Sequence, residues 1–216
     1  IVFGLGGVGS YAAECLARAG IGELTLVDSD TVALSNLNRQ LEALTSTVGL
    51  PKAEAVARRI ADINPNAVLH PLQELYNAEN RSRFFHEGCR YDYIVDAIDL
   101  VSCKLDLAET ARRLKIPLMM ALGTGNKLDP SQLRLADISE TYGCPLARVM
   151  RKELRNRGIC RQPVVFSPEQ PAPTTQREAP PPGRRSVPAS NPWVPAVAGL
   201  LIGSKVVRDL IANKGV

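Results

Sequence analysis

Glycine and serine residues at the start of the chain have the types and spacing of a phosphate-binding loop. Gly4, Gly6, Gly7, Gly9 and Ser10 lie between a short apolar stretch and an Ala-rich segment. Glycines at this spacing permit a tight turn and let the backbone approach a phosphate, which then meets the free N–H groups of the following helix. We therefore expect this loop to bind a nucleotide.

Polar side chains further along the chain are typical of contacts to the rest of a nucleotide. Asp28 ends the next apolar run, where a carboxylate can accept hydrogen bonds from ribose hydroxyls. Up to this residue, an NAD-dependent oxidoreductase or a nucleotide-sensing module without catalysis fits equally well. A dehydrogenase does not need the polar segment that follows. The candidate binding residues of that segment are Asp30, Asn36, Asn38, Arg39 and Lys52.

Alternating apolar runs and amphipathic segments must position these residues. The predicted strands end at residue 3, span 24–27, lie around 68, and span 93–97 and 118–122, and the predicted helices end near 19 and span 52–63, 78–86 and 102–115. Such alternation is typical of parallel strands joined by right-handed crossovers, with helices on both faces of the sheet. We therefore predict an α/β, Rossmann-like, doubly wound fold with a mostly parallel sheet.

The pattern changes after Gly123. Strands at 133–136 and 164–166 and helices at 145–157 and 197–212 predict antiparallel C-terminal additions to the sheet. All 216 residues fit one domain, because single domains commonly reach about 250 residues. We also expect an N-terminal truncation, because the glycine loop follows the first residue so closely and no Met precedes it.

Proline is concentrated near the C-terminus. Ten of the sixteen prolines fall between Pro163 and Pro195. Proline-rich segments favour extended conformations over packed elements. We therefore expect a flexible excursion over residues 167–192 rather than a second domain.

Composition excludes several classes of protein. Apolar residues make up 45% and charged residues 22% of the chain, which is the balance of a globular protein rather than of a disordered one. No window approaches the roughly 20 apolar residues of a membrane span. The five cysteines form no C-x-x-C pair, which argues against a disulfide framework and against zinc. We expect a cytoplasmic protein without a membrane segment or a zinc site.

Five short motifs occur in the order and spacing of one large group of enzymes. They are the loop from Gly4 to Ser10, Asp28-x-Asp30, Asn36-x-Asn38-Arg39-Gln40, Gly49-x-Pro51-Lys52 and Asp96-Ala97-Ile98-Asp99. Over residues 1 to about 125, the chain thereby resembles the ubiquitin-activating-like superfamily of adenylating enzymes. The resemblance implies a single adenylation domain over residues 1–216 that uses ATP to activate a carboxylate.

The resemblance also implies a role for each motif. Asp28 holds the ATP ribose, Asn36, Arg39 and Lys52 contact the phosphates, and Asp99 supports Mg²⁺. These roles make physical sense, because attack on the α-phosphate concentrates negative charge that fixed cations stabilise. Arg39 offers a planar fork of donors and Lys52 a point charge. We expect Arg39, Lys52 and Asp99 to be the catalytic residues.

Later segments resemble one branch of the superfamily, the tRNA threonylcarbamoyladenosine dehydratases. The matching segments span 123–130, 144–149, 151–155 and 194–199. The resemblance implies that ATP adenylates the threonyl carboxylate of a modified adenosine in the tRNA anticodon loop, after which the same side chain closes a ring and water is lost overall. Cys144 is a candidate thiol nucleophile or a packing residue, and the sequence leaves both readings open.

A run of basic residues follows Cys144. Arg148, Arg151, Lys152 and Arg155 lie on the predicted helix at 145–157, and they are the candidate RNA-binding residues; Arg184 and Arg185 would extend the patch. Lysine and arginine near phosphates supply affinity for RNA that does not depend on sequence. The alternative is an ordinary solvated helix face.

Partners follow from the resemblance rather than from composition. It implies a homodimer and leaves room for a sulfur-relay helper protein. The chief alternative is an adenylating enzyme that activates the C-terminus of a sulfur-carrier or ubiquitin-like protein. An NAD-dependent oxidoreductase is the less favoured alternative.

Overall fold

Seven strands form one sheet in the computed structural model, which describes residues 1–173 and 189–213. The strands are β1 (Val2–Phe3), β2 (Glu23–Val27), β3 (Val68–Leu72), β4 (Ile94–Asp96), β5 (Leu118–Ala121), β6 (Arg134–Asp137) and β7 (Pro163–Phe166). Their order across the sheet is β3-β2-β1-β4-β5-β7-β6, and only β6 runs antiparallel to its neighbour. The predicted doubly wound α/β fold with a C-terminal antiparallel addition is confirmed.

Six α-helices surround the sheet within the described residues. They are α1 (Gly9–Arg18), α2 (Lys52–Ile63), α3 (Arg81–Phe84), α4 (Val101–Leu114), α5 (Pro145–Asn156) and α6 (Val194–Asn213). None of the helices in the described part of the chain has the length and apolar character needed to cross a membrane.

Successive side chains along each strand point alternately into two hydrophobic cores, one on each face of the sheet. Met119 packs with α1, α2 and α6, whereas Leu118 and Met120 pack with α3, α4 and α5. This alternation is the period of two that a strand imposes on its side chains. Because both faces are covered, the central strands are almost wholly apolar.

Two helices differ from their predicted bounds by more than one residue. The short α3 covers less than the predicted 78–86, because Asn77 Oδ1 accepts the N–H groups of Glu79 and Asn80 and holds a turn there instead. The last helix begins three residues early, at Val194, where Asn191 Oδ1 accepts the Val194 N–H at 2.9 Å. Pro195 fits this first turn because it needs no N–H partner there.

Chain order creates a crevice between two neighbouring strands. The crossover from β1 leads to β2 on one side, whereas β4 lies on the other. In open α/β sheets, ligands bind at such a switch point, outside the carboxyl ends of the strands. The fold therefore places the loops after β1, β2 and β4 around one crevice.

Candidate functional site

The glycine loop connects β1 to α1 and lies directly against the end of β4. Gly4 has φ +82°, and a Cβ on it would lie 2.6 Å from the Ala97 carbonyl oxygen. A Cβ on Gly9 would lie 1.7 Å from the Gly4 carbonyl oxygen, so neither position tolerates a side chain. Ser10 Oγ donates to the Gly6 carbonyl at 2.7 Å and fixes the first turn of α1. The loop therefore makes a tight turn whose close packing requires glycine at positions 4 and 9.

Asp28 ties the end of β2 to this loop. Its Oδ2 accepts the Leu5 N–H at 2.6 Å, and its Oδ1 accepts the Asp30 N–H at 2.8 Å. Burial raises the pKa of Asp28, although these two backbone donors and nearby Lys52 oppose the shift. A carboxylate has about four acceptor positions. Two are used here, so the group is held in place and still has lone pairs for a ribose.

Lys52 begins α2 and is turned back toward Asp30. Its ammonium group donates to Asp30 Oδ2 at 3.0 Å, and its backbone N–H donates to the Asp30 carbonyl oxygen at 3.0 Å. The Lys52 side chain is 7% exposed and that of Asp30 is 67% exposed. The pair thus joins a buried cation to an exposed carboxylate.

Asn36, Asn38 and Arg39 lie together in the long loop between β2 and α2. Asn36 is buried, and its Oδ1 accepts the Ala33 N–H at 3.0 Å. Arg39 Nη1 donates to the Ser35 carbonyl and to Asn38 Oδ1, both at 2.8 Å. These two hydrogen bonds anchor one nitrogen of the half-buried guanidinium and fix the position of Arg39 in the loop.

Asp99 lies exposed just beyond the carboxyl end of β4. The turn that carries it is held by Asp96, whose Oδ1 accepts the Ile98 N–H and the Lys104 ammonium, both at 3.0 Å. Asp96 and Lys104 are each 0% exposed, so this ion pair is fully buried. Sequence reasoning missed Lys104, although its place on the apolar face of α4 beside Cys103 and Leu105 was the available signal.

The predicted nucleotide residues therefore meet at one edge of the sheet. Residues from the loops after β1, β2 and β4 surround the crevice, although they lie far apart in sequence. Sequence reasoning quoted Gln40 only as part of a motif and missed Glu42, and both are buried behind the glycine loop. The apolar neighbours Leu41, Ala43 and Leu44 were the only local signal for the burial of Glu42.

The basic residues of α5 divide into two groups. Arg148, Lys152 and Arg155 are exposed and lie on one face of the helix, four and three residues apart. Arg151 instead donates to the Thr141 carbonyl at 2.6 Å and to Thr141 Oγ1 at 2.7 Å. Arg184 and Arg185 lie outside the described residues.

Cys144 caps the start of α5. Its thiol is 4% exposed, and its Sγ accepts the Ala147 N–H at 3.5 Å. A buried thiol with this role packs the helix start and is out of reach of a substrate. The packing alternative for Cys144 therefore fits the structure.

The loop after β5 holds both ends of the Pro-rich segment. Asn126 N–H donates to the Ala189 carbonyl at 2.8 Å, and the Ala172 N–H donates to the Asn126 carbonyl at 2.7 Å. Trp193 Nε1 donates to the Leu128 carbonyl at 2.8 Å and so attaches the residues after the segment to the same loop. Of the predicted excursion over 167–192, residues 174–188 lie outside the described residues.

Comparison with known proteins gives consistent relatives. The profile of the ThiF family matches residues 1–213. A tRNA threonylcarbamoyladenosine dehydratase of Bacillus subtilis is 43% identical, and the match covers 98% of this chain and 86% of that protein. The Escherichia coli enzyme of the same name is 44% identical over 72% of this chain and 57% of its own length.

A solved structure agrees with the fold. The crystal structure of the E. coli tRNA N6-threonylcarbamoyladenosine dehydratase in complex with ATP superposes with a TM-score of 0.86 at 36% identity. The alignment covers 99% of this chain and 86% of that one.

Proposed function

Because the chain belongs to the ThiF family, we propose that it uses ATP to adenylate the threonyl carboxylate of N6-threonylcarbamoyladenosine in tRNA and then closes that side chain into a ring. The observation that carries this proposal is the match to dehydratases along nearly the whole chain, with the polar motif residues gathered at one crevice. The E. coli structure with ATP supports ATP as the nucleotide.

Two chemical steps make up the proposed reaction. A carboxylate oxygen attacks the α-phosphorus, the bond to the β-phosphate breaks, and pyrophosphate leaves. A nucleophile of the same side chain then attacks the acyl carbon and expels AMP. Ring closure is intramolecular, so effective molarity replaces a transferring thiol. The burial of Cys144 is consistent with a reaction that needs no such thiol.

Each site residue has a proposed role in the first step. The N–H groups at the start of α1 receive phosphate oxygens, and Asp28 receives the ribose. Asn36 and Asn38 shape the loop that carries Arg39, whose guanidinium faces the phosphates together with Lys52. Asp30 orients the Lys52 ammonium group by the hydrogen bond at 3.0 Å. Cations fixed in this way stabilise the charge of the transition state without reorganising.

Asp99 is the proposed protein ligand of Mg²⁺. Residues 1–173 and 189–213 contain no group of three or more His, Cys, Asp or Glu side chains placed to hold a metal ion. This fits Mg²⁺, which usually takes one or two carboxylates and completes its shell with phosphate oxygens and water. When bound, the ion would neutralise charge on the phosphates.

The exposed face of α5 is the proposed contact to tRNA. Arg148, Lys152 and Arg155 form no ion pair within the described residues, so their charges are available to RNA phosphates. Arg151 is committed to Thr141 and contributes mainly through its charge. We further propose that residues 1–216 form one adenylation domain, that the enzyme is a cytoplasmic homodimer, and that a sulfur-relay helper protein can act with it.

Substitution of the phosphate-facing residues tests the proposal. We expect Arg39→Ala and Asp99→Ala each to lower AMP release by at least about 100-fold, as removal of one transition-state interaction does in other enzymes. The measurement is AMP and pyrophosphate release with tRNA that carries the modified adenosine. Arg58→Ala and Asp62→Ala, both on the exposed face of α2, are the matched controls and should keep full activity.

Several outcomes would contradict the proposal. Normal AMP release by both site variants would remove the assigned residues from the reaction. Stimulation of pyrophosphate exchange by a sulfur-carrier protein but not by modified tRNA would favour the carrier-protein alternative. Tight binding of a nicotinamide nucleotide without pyrophosphate release would favour an oxidoreductase.

A further inference from the structure

Two buried polar side chains behind the glycine loop have no assigned role. Glu42 is 2% exposed and Gln40 is 8% exposed. Within residues 1–173 and 189–213, neither carboxylate oxygen of Glu42 has a hydrogen-bond partner, and neither does Oε1 of Gln40. An unpaired buried polar group is unfavourable, and more so if it is charged. Such groups require an explanation.

The position of these residues relates them to the nucleotide site. Gln40 Nε2 lies 3.5 Å from where a Cβ on Gly6 would be, so this side chain supports the phosphate loop from behind. Leu41 N–H donates to Ser10 Oγ at 3.4 Å, which holds the segment against the first turn of α1. Gln40 and Glu42 therefore flank the end of α1 that is proposed to receive phosphate.

The surroundings of Glu42 disfavour its charged form. Burial raises the pKa of Glu42 to about 7, although its own backbone N–H, Lys52 of α2 and the nearby Ser10 hydroxyl of α1 oppose the shift. Asp28, at the end of β2, raises it further. The charge of Lys52 is shared, because its ammonium group already binds Asp30. A triphosphate in the crevice would add negative charge and favour the neutral acid still more.

We propose that Glu42 is the proton-carrying group of the nucleotide site, which takes up a proton from solvent when a nucleoside triphosphate binds and stays neutral behind the phosphate loop. The proton returns to solvent when the nucleotide leaves. This inference rests on the proposed function, because it requires phosphates at the glycine loop.

Proton uptake on nucleotide binding tests the inference. Titration calorimetry with a non-hydrolysable ATP analogue at pH 7.5, in two buffers of different ionisation enthalpy, gives the number of protons bound. We expect wild type to take up about 0.5–0.75 proton more than Glu42→Gln, because a group with a pKa of about 7 is about three-quarters ionised at pH 7.5 until the nucleotide binds. Glu54→Gln, which removes an exposed carboxylate of α2, is the matched control and should behave as wild type.

A second measurement avoids dependence on the variant. In wild type alone, the Kd for the analogue should rise by up to tenfold per pH unit above pH 7, and an infrared carbonyl band of a protonated carboxyl group should appear when the analogue is added. Equal proton uptake by wild type and Glu42→Gln, or no such band, would overturn the inference. A nucleotide affinity that requires a cation bound to ionised Glu42 would also overturn the inference.

The two proposals fail in different ways. Nucleotide binding without linked proton uptake removes the role of Glu42 and leaves the adenylation reaction standing. Proton-linked binding without AMP formation on modified tRNA removes the proposed reaction and leaves Glu42 as the proton-carrying group. Absence of nucleotide binding overturns both.

Discussion

The two acids that follow β2 make different contacts at the proposed nucleotide site. Asp28 binds the backbone of the glycine loop, and Asp30 binds the ammonium group of Lys52. The Asp30 N–H donates in turn to Asp28 Oδ1, so the pair moves as one unit. The glycine loop, the two acids and the Lys52 ammonium group are therefore held in fixed relative positions before a ligand binds. Catalysis by positioning requires such preorganisation.

The raised pKa of Glu42 also predicts how the stability of the nucleotide-free protein depends on pH. Its pKa is about 7 in the folded state against an ordinary value of 4.5, so between these values the folded state binds more protons than the unfolded state. The free energy of unfolding therefore falls as pH rises from about 4.5 to 7, by on the order of 3 kcal/mol, and then levels off.

Urea unfolding at pH 5, 6, 7 and 8 measures this effect. Glu42→Gln lacks the titrating group, so we expect its stability relative to wild type to increase from pH 5 to 7 and to level off between pH 7 and 8. Glu54→Gln should keep a constant difference from wild type, because Glu54 is exposed. A constant difference for Glu42→Gln as well would show that this carboxyl group does not titrate in the folded state near neutral pH.

Sequence reasoning at the residue scale found groups defined by motif and missed groups defined by packing. Asp28, Arg39 and Lys52 stand in recognisable spacings, so their proximity could be inferred from the fold. Ala43, the residue after Glu42, packs with Val32 and Ala55 from outside the local segment. No local pattern contains that information, and the same holds for the pairing of Lys104 with Asp96.

At the scale of elements, hydrophobic periodicity predicted nearly every strand and helix. The position of β7 could not be predicted, because a long connection after β5 allows several sheet orders. In the structure β7 inserts between β5 and β6, parallel to the former and antiparallel to the latter. Side-chain packing on both faces decides this order, since Val165 lies in one core and Val164 in the other.

The exposed face of α5 makes a prediction about RNA. We expect the triple variant Arg148→Gln, Lys152→Gln and Arg155→Gln to bind tRNA more weakly at all salt concentrations. The slope of log affinity against log salt should fall by up to about three, roughly one for each phosphate that the variant no longer neutralises. Fluorescence anisotropy with labelled tRNA at several KCl concentrations measures both quantities.

A general loss of positive charge must be separated from the loss of a specific RNA-binding face. A control triple variant, Arg18→Gln, Arg58→Gln and Arg208→Gln, removes the same net charge from exposed positions on α1, α2 and α6. Equal weakening by both triple variants would mean that α5 has no special role. ATP binding should be unchanged in either protein.

At the scale of the whole molecule, the late part of the chain is attached to the nucleotide site. Lys127 is 2% exposed, and its ammonium group donates to the Glu169 carbonyl oxygen. The Glu169 carboxylate accepts the Leu128 N–H at 2.9 Å, so the two loops bind each other reciprocally. Asn38 Nδ2 donates to the Ser190 carbonyl at 3.0 Å and links this cluster to the Arg39 loop. The C-terminal additions therefore support the site.

Asn126, Lys127 and Glu169 form a clamp that holds the residues on either side of 174–188. We predict that residues 174–188 can be replaced, whereas this clamp cannot. Both flanking ends bond Asn126, so a linker of about six Gly and Ser residues, with a mean span of about 13 Å, can join them. Shortening the loop from fifteen residues to six changes closure entropy by only about 0.8 kcal/mol. We expect the replaced protein to unfold in urea near the wild-type midpoint and to bind the ATP analogue normally.

Lys127→Met leaves the Glu169 carbonyl without its buried donor and should lower stability by about 1–3 kcal/mol. If the linker variant loses nucleotide binding while Lys127→Met keeps wild-type stability, then the replaced segment, and not the clamp, supports the site.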